Sequence, residues 1–303
     1  MFPKIKIMPS IHKTVLLNEA IEGLNLNSKS IVVDETFGGG GHSAEICGRY
    51  KGVKVIAIDQ DQGAFEKAKG EFEGCNITFN NANFRDLGKV LADIGIKEVD
   101  GIILDLGLSS DQLENSGRGF SFIKDEPLYM TMKANPLPED LIARDVVNSW
   151  SEENLASIIY GYGEERYSRR IAKAIVEARK KKEIATTRDL VGIIEGAVPG
   201  GYKRGKLHPA TKTFQAIRIA VNDELGALEA GLTEGFDVLK SGGRMSVISF
   251  HSLEDRIVKK FYKEKERDGR GKPINKKIIT ASEEEITNNR RSRSAKLRIL
   301  EKT

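Results

Sequence analysis

The stretch Ser30–Asp59, SIVVDETFGGGGHSAEICGRYKGVKVIAID, carries the reading that decides the fold. SIVVD is a short β-branched run that closes on an acid. Four glycines follow, Gly38 to Gly41, and HSAEICGRY after them has helical character. VKVIAI, Val53–Ile58, is a second strand, closing on Asp59. Strand, glycine loop, helix, strand and acid in this order open a parallel sheet. The glycines allow a tight turn and let a ligand approach the backbone at the carboxyl edge. An acid about twenty residues after such a loop is where a carboxylate meets ribose hydroxyls.

Outward from that unit the alternation continues. Gln62–Phe72 suits a helix, and Asn76–Phe79 a third short strand, followed by the polar NNAN. Asp86–Ile94 is helical, with Leu87, Val90, Leu91 and Ile94 on one stripe. Gly101–Leu106 (GIILDL) is a continuous apolar strand carrying Asp105 near its end. Uninterrupted apolar strands are covered on both faces. Between residues 107 and 210 no parallel strand is predicted. That region holds a Gly/Ser-rich loop (GLSSDQLENSGRGFSF), the proline-bearing ANPLPED, and helices over Pro138–Val147, Glu152–Tyr160, Glu165–Lys181 and Thr187–Ala197. The alternation then resumes with a long helix Thr213–Leu239, a strand Arg244–Phe250 and a helix Leu253–Lys265. Lys277–Thr280 and Lys296–Glu301 are the last predicted strands, and Arg267–Asn289 is expected as a polar mobile loop. The pattern predicts an α/β fold with a mostly parallel, Rossmann-like sheet from residues 1–110 and 211–303, interrupted by a helical insertion over 111–210.

Composition sets the class. The 303 residues are 30% charged and 39% hydrophobic, which reads as globular rather than disordered or fibrous. No apolar run approaches the ~18 residues of a membrane helix. The basic opening MFPKIKIMPSIHK lacks the apolar core of a signal peptide. Two cysteines, Cys47 and Cys75, exclude a disulfide scaffold and a four-cysteine zinc site and suit a reducing cytosol. The 4 histidines show no clustered ligand spacing, so no metal is expected. The net charge of +4 hides a segregation: Arg166–Lys206 has 12 Lys/Arg against 4 Asp/Glu, Lys259–Arg298 has 14 against 6, and the remainder carries −12. Two basic segments on an acidic remainder suit either solvated helical faces or a polyanion partner.

The loop chemistry selects among nucleotide-like ligands. A pyrophosphate is usually held by G-x-G-x-x-G at a helix N-terminus. GGGGHS lacks the third glycine of that spacing, and Glu35 precedes the loop. Acids beside the loop suit a sulfonium cofactor, which favours S-adenosylmethionine over NAD. Phe84, after the third strand, is placed either against an adenine ring or in the core. Asp105 ends the fourth strand, where a parallel sheet presents reactive groups, within the small polar DLGLSSDQLE. Ser109, Ser110 and Gln112 are there either partners of an amino group or loop caps.

HKTVLLNEAIEGL, DETFGGGGHS, AIDQD, DGIILDLGLSSDQLE, RGFSF, YGEERYSRRIAKAIV, HPATKTFQAIRIAVNDEL and SGGRMSVISFHSLEDRIVK occur in that order. Together, from about His12 to Leu300, they closely resemble the RsmH (MraW) family. The resemblance implies a class I S-adenosylmethionine-dependent methyltransferase with a helical insertion. It also implies an activity, methylation of the exocyclic N(4) amino group of a cytidine in 16S, small-subunit ribosomal RNA. It assigns cofactor contacts to Gly40, Gly41, His42, Asp59, Phe84, Asp105 and Gln112, so Gln112 moves from substrate to cofactor. An amino nitrogen needs placement and hydrogen-bond acceptors rather than a cysteine adduct. Asp105, with Ser109 and Ser110, is therefore the candidate catalytic group. Candidate RNA contacts are Arg118 with Phe120, and Arg166, Arg169 and Arg170 among Tyr160, Tyr162 and Tyr167. His208 and His251 are further candidates. For Phe120 the alternative is packing, for His208 a hinge, and beside His251 a helix start capped by Ser252 with Asp255 as its acidic partner. An NAD(P)-linked oxidoreductase and a non-catalytic RNA-binding factor on the same scaffold are the other classes considered.

Overall fold

The computed structural model describes residues 13–303 except Lys69 and Lys206. His12, which begins the first motif, and Lys206, which ends the first basic segment, lie outside the described residues, as does the opening MFPKIKIMPSI. Helix α1 (Leu17–Leu24) precedes strand β1 (Ile31–Asp34), α2 (Gly41–Arg49), β2 (Lys54–Asp59), α3 (Gln62–Ala68), β3 (Asn76–Asn81), α4 (Leu87–Asp93) and β4 (Val99–Asp105). Five helices follow before the chain returns: α5 (Ser110–Glu114), α6 (Ala143–Ser149), α7 (Glu152–Gly161), α8 (Ser168–Arg179) and α9 (Thr187–Ala197). A short α10 (Gly200–Lys203) leads to α11 (Thr211–Asn222) and α12 (Glu224–Val238). The chain closes with β5 (Leu239–Ser249), α13 (Ser252–Arg267), β6 (Gly271–Pro273), α14 (Glu283–Asn288) and β7 (Lys296–Lys302).

The seven strands form one sheet in the order β3-β2-β1-β4-β5-β7-β6. The first five are parallel, with Val33 level with Ile56 and Ile102 level with Met245; β7 and β6 join antiparallel. Side chains alternate between faces along a strand, which splits the apolar runs in two. Val33, Ile56, Ile102 and Leu104 pack against α4, α12 and α13. Val32, Val55, Ile103 and Ile248 face α1 and α2. The chain leaves β1 toward β2 on one side and toward β4 on the other. This topological switch point opens a crevice at the carboxyl ends, where Asp34, Asp59 and Asp105 stand. The helices between β4 and β5 gather a separate core from Leu128, Val146, Leu155, Ile171, Leu190 and Phe214.

Several expected elements differ. The single helix over Thr213–Leu239 is two, because Asp223 adopts the left-handed conformation (φ 46°) between α11 and α12. Arg85 fixes that break, donating to the Asp223 carboxylate at 2.7 Å and to its carbonyl at 3.1 Å. Asn222 adds a clamp, accepting from Met132 N–H and donating to Met130 C=O, both at 2.7 Å. The helix expected from Pro138 begins only at Ala143. Residues 277–280 form no strand; Ile279 makes an isolated bridge to Leu297, and the edge strand is β6. The segment expected as a mobile loop, 267–289, contains β6 and α14. Cys47 and Cys75, which the sequence leaves without a pairing, stand side by side with Cα atoms 5.7 Å apart.

Candidate functional site

The glycine loop is built by sterics. Gly40 sits at φ 73°, and a Cβ there would lie 2.7 Å from the Phe37 ring. Phe37 belongs to an aromatic cluster with Phe65, Phe72 and Phe79 that fills the space beneath the loop. Asp59, at the end of β2, accepts from Gly38 N–H at 2.7 Å and from Asp61 N–H at 2.8 Å. The acid at the strand end therefore holds the loop and occupies an amide that a pyrophosphate would need.

Above the crevice lies a cavity that opens to solvent. It is lined by Gly41, His42, Asp59, Phe84, Asp105, Ser109, Ser110 and Gln112, and so brings together every predicted catalytic and cofactor residue except Gly40. Gly40 stands one residue behind the wall. Phe84 lines the cavity and also packs on α12, where a Cβ on Gly231 would lie 2.6 Å from its ring.

The acids dominate the electrostatics. Burial pushes Asp34 up to about 6, against the Ser43 hydroxyl and the Thr36 N–H. Burial likewise pushes Asp59 up to about 6, against the N–H groups of Asp61 and Gly38. Burial, reinforced by Asp34 and Glu254, raises Asp105 well above the usual carboxylate range. Burial, with Glu234 and Asp34 nearby, does the same for Glu35. Both Glu35 carboxylate oxygens and Asp105 Oδ1 are buried without a hydrogen-bond partner among the described residues, and both residues line the cavity. A buried carboxylate without donors is costly. A cationic ligand with N–H and O–H donors would relieve that cost, which is the chemistry of a sulfonium amino-acid nucleoside; a dianionic pyrophosphate would add to it.

The serines are engaged within the loop. Ser109 Oγ accepts from Gln112 N–H at 3.2 Å while Gln112 Oε1 accepts from Ser109 N–H at 2.9 Å, a capping box that starts α5. Ser110 Oγ accepts from Arg291, which also reaches Glu114 at 2.5 Å. Asp105 is thus the predicted catalytic group with a buried oxygen that has no partner among the described residues, and its other oxygen lies 3.8 Å from His42 Nδ1.

The predicted RNA contacts separate. Arg118 and Phe120 are turned inward. The Arg118 guanidinium meets Asp61 at 2.5 Å and donates to the carbonyls of Met132 (2.9 Å) and Thr131 (3.2 Å), so no phosphate is needed to satisfy it. Phe120 packs in the helical core. His208 stacks on Phe122 with centroids 4.6 Å apart and approaches Glu195 at 3.3 Å. Arg166, Arg169 and Arg170 are exposed. Arg166 lies over Tyr167 at 4.8 Å and Tyr202 at 5.1 Å. Glu164, just before them, accepts from Ser252 Oγ at 2.7 Å and from Arg256 at 3.0 Å, which ties this cluster to the start of α13. The cap of α13 is His251 with Glu254, not Ser252 with Asp255, because the chain becomes helical one residue earlier than the serine reading requires.

Other wall residues went unassigned in the sequence: Asn222, Glu224, Phe250, Glu254, Asn289 and Arg291. The first four stand inside the quoted HPATKTFQAIRIAVNDEL and SFHSLEDR, so the signal was present without a role attached. Asn289 ends the expected loop and Arg291 lies just beyond it; both reach the cavity only through the return of the chain to β7. Glu224, His251 and Glu254 place ligand-type atoms within 4.8 Å of one another. Arg218 occupies both oxygens of Glu224, at 2.7 and 2.8 Å, and already supplies the positive charge a metal would bring.

A model of the MraW methylase family matches residues 9–303. The chain is 44% identical to a protein of Brevibacillus brevis named ribosomal RNA small subunit methyltransferase H, over 96% of this chain and 98% of that protein. It is 47% identical to the protein of that name from Carboxydothermus hydrogenoformans, over 96% and 97%. Among solved structures, an rRNA methylase from Streptococcus thermophilus aligns with 94% of this chain and 93% of that chain at 13% identity and a TM-score of 0.43.

Proposed function

Since this chain belongs to the MraW methylase family, we propose that it transfers the methyl group of S-adenosylmethionine to the exocyclic N(4) amino group of a cytidine in small-subunit (16S) ribosomal RNA. The observation that carries the cofactor is the set of buried, unpartnered carboxylate oxygens of Glu35 and Asp105 at a glycine loop whose Gly38 amide is already taken by Asp59. When bound, the cofactor supplies a methyl group made electrophilic by its sulfonium. Gly40, Gly41 and His42 form the loop side of its site, Asp59 offers a carboxylate to ribose hydroxyls, and Phe84 offers a ring face to the adenine. Gln112 holds the adjoining wall through its cap on Ser109. Asp105 stands at the end of β4, where it accepts hydrogen bonds from the donors of the bound ligands. Ser109 and Ser110 keep the loop beside it in place.

Arg166, Arg169 and Arg170, with Tyr167 and Tyr202 interleaved, form the surface that takes the RNA, and residues 111–210 are the unit that recognises it. Stacked arginines and aromatics suit single-stranded RNA, whose bases are unpaired and whose phosphates are close. His251, at the start of α13, is one residue from Ser252, which bonds Glu164 beside that surface, and is proposed as a further RNA contact. The partner proposed is ribosomal RNA within the assembled small subunit.

The test is methyl transfer to small subunits lacking the modification, followed by nucleoside mass spectrometry, alongside calorimetry with S-adenosylmethionine and with NAD. N(4)-methylcytidine and binding of S-adenosylmethionine alone are expected. Binding of NAD alone, or a methyl group on another atom, overturns the reading. Changing Asp105 to Ala should reduce turnover by about 100-fold or more at saturating cofactor and RNA; full turnover in that variant would remove Asp105 from its role.

A further inference from the structure

The carboxyl end of β5 carries a carboxylate and a ring that the reading above leaves without a task. Phe250 and Glu254 both line the cavity, Phe250 half-buried and Glu254 only 3% exposed. Glu254 Oε2 accepts from Phe250 N–H at 2.8 Å and from His251 N–H at 3.2 Å. Its Oε1 lies 3.1 Å from His251 Nε2. The backbone of the β5–α13 turn therefore clamps one oxygen, while the other faces an imidazole. We propose that Glu254 accepts a hydrogen bond from the exocyclic amino group of the target base and takes its proton during methyl transfer, with His251, whose Nδ1 accepts from Glu254 N–H at 3.4 Å and whose Nε2 faces Oε1, holding the carboxylate in place and Phe250 as the ring against which the base lies.

This rests on the methyl-transfer reading above and adds to it the group that receives the proton. The amino lone pair is delocalised into the base. A carboxylate on one N–H returns electron density to the nitrogen. The nitrogen then forms the new N–C bond as the methyl carbon–sulfur bond breaks, its electron pair remaining on sulfur. The surplus proton on nitrogen passes to Glu254 and from there to water as the product leaves, so charge and atoms balance without any further reactant.

Asp105 and Glu254 are two neighbouring carboxyls in opposite environments. Burial, Asp34 and Glu254 push Asp105 up. Burial also pushes on Glu254, but its bond and charge contact with His251, the Phe250 N–H and Arg218 outweigh it and hold Glu254 below the usual range. Of these two carboxyls, the one held ionised is the better acceptor for the proton that the amino group must lose. The same Arg218, paired with Glu224, argues against reading the cluster as a metal centre.

The experiment compares wild type, Glu254→Gln and His251→Asn in the full chain, with unmethylated small subunits as substrate. Glutamine retains an oxygen for the Phe250 and His251 amides, and asparagine is a good helix cap, so both variants keep the turn. For Glu254→Gln, kcat should fall about 100-fold, while the affinities for S-adenosylmethionine and for the subunit stay within about twofold and the unfolding midpoint does not move. His251→Asn should lose less, about tenfold, with the same unchanged affinities. A Glu254→Gln enzyme within about twofold of the wild-type kcat overturns the proposal and leaves the parent reading standing. Parallel loss of cofactor affinity or of thermal stability also overturns it, by making Glu254 structural. Absence of N(4)-methylcytidine with the wild type would instead overturn the parent reading and this one with it.

Discussion

At the scale of residues, the site is a set of carboxyls held against their preference by burial. Asp34 and Asp59 titrate near 6 rather than near the ordinary value of 3.8. A carboxyl raised in the folded state contributes stability below its unfolded pKa, and that contribution is lost as pH rises through the folded value. The ligand-free protein should therefore lose stability between about pH 4 and about pH 6 on account of these two groups. A bound sulfonium favours their ionised forms and restores the loss. The rise in melting temperature on saturation with S-adenosylmethionine should be larger at about pH 7.5 than at about pH 5. A thermal-shift series across that range checks this; a cofactor effect flat with pH would remove these acids from cofactor binding.

At the scale of elements, the carboxyl edge is shaped by short connections. The β1–α2 turn works because Gly40 is left-handed and because the Phe37 ring lies directly beneath it. Gly40→Ala should cost about 1–3 kcal/mol from the unfavourable φ and the overlap with that ring, read as a shift in the denaturation midpoint, together with weaker cofactor binding. Much at this scale was legible. The β-branched runs, the glycine loop and the strand-end acids appear where the pattern puts them. What was not legible has identifiable causes. Nothing local forces the break at Asp223; Arg85, 138 positions earlier, fixes it from across the fold. The polar composition of 267–289 reads as a loop, yet α14 places Glu285 against the Leu16 N–H at 2.9 Å, across 269 positions, and the segment becomes ordered structure. Ser109 and Gln112 have the composition of a substrate-binding pair, and their capping box shows that helix initiation uses the same atoms.

At the scale of the whole molecule, charge segregation becomes geometry. The acids collect at the sheet edge, while Arg166, Arg169 and Arg170 lie exposed just after Glu164, which is itself joined to the start of α13 through Ser252 and Arg256. Arg166→Glu with Arg170→Glu should weaken binding to small subunits and reduce the steepness of its salt dependence by about one to two, with cofactor affinity unchanged. Filter binding at graded salt measures both; an unaltered slope would move the RNA surface elsewhere. The sequence by itself determined the mostly parallel sheet, the carboxyl edge where the glycine loop stands, and the acidic character of that edge. Strand periodicity, glycines and strand-end acids are local properties that survive any packing arrangement. Only the tertiary structure decided which side chains remain available. It turned Arg118 into a buried partner of Asp61 and two backbone carbonyls. It engaged Ser109 and Gln112 in a helix cap. It brought Phe250 and Glu254, from the turn after β5 and the start of α13, to the same cavity as Asp105. A side chain's chemistry is written in its residue type, but its partners are chosen by segments far away in the chain, and only the packed fold brings those together.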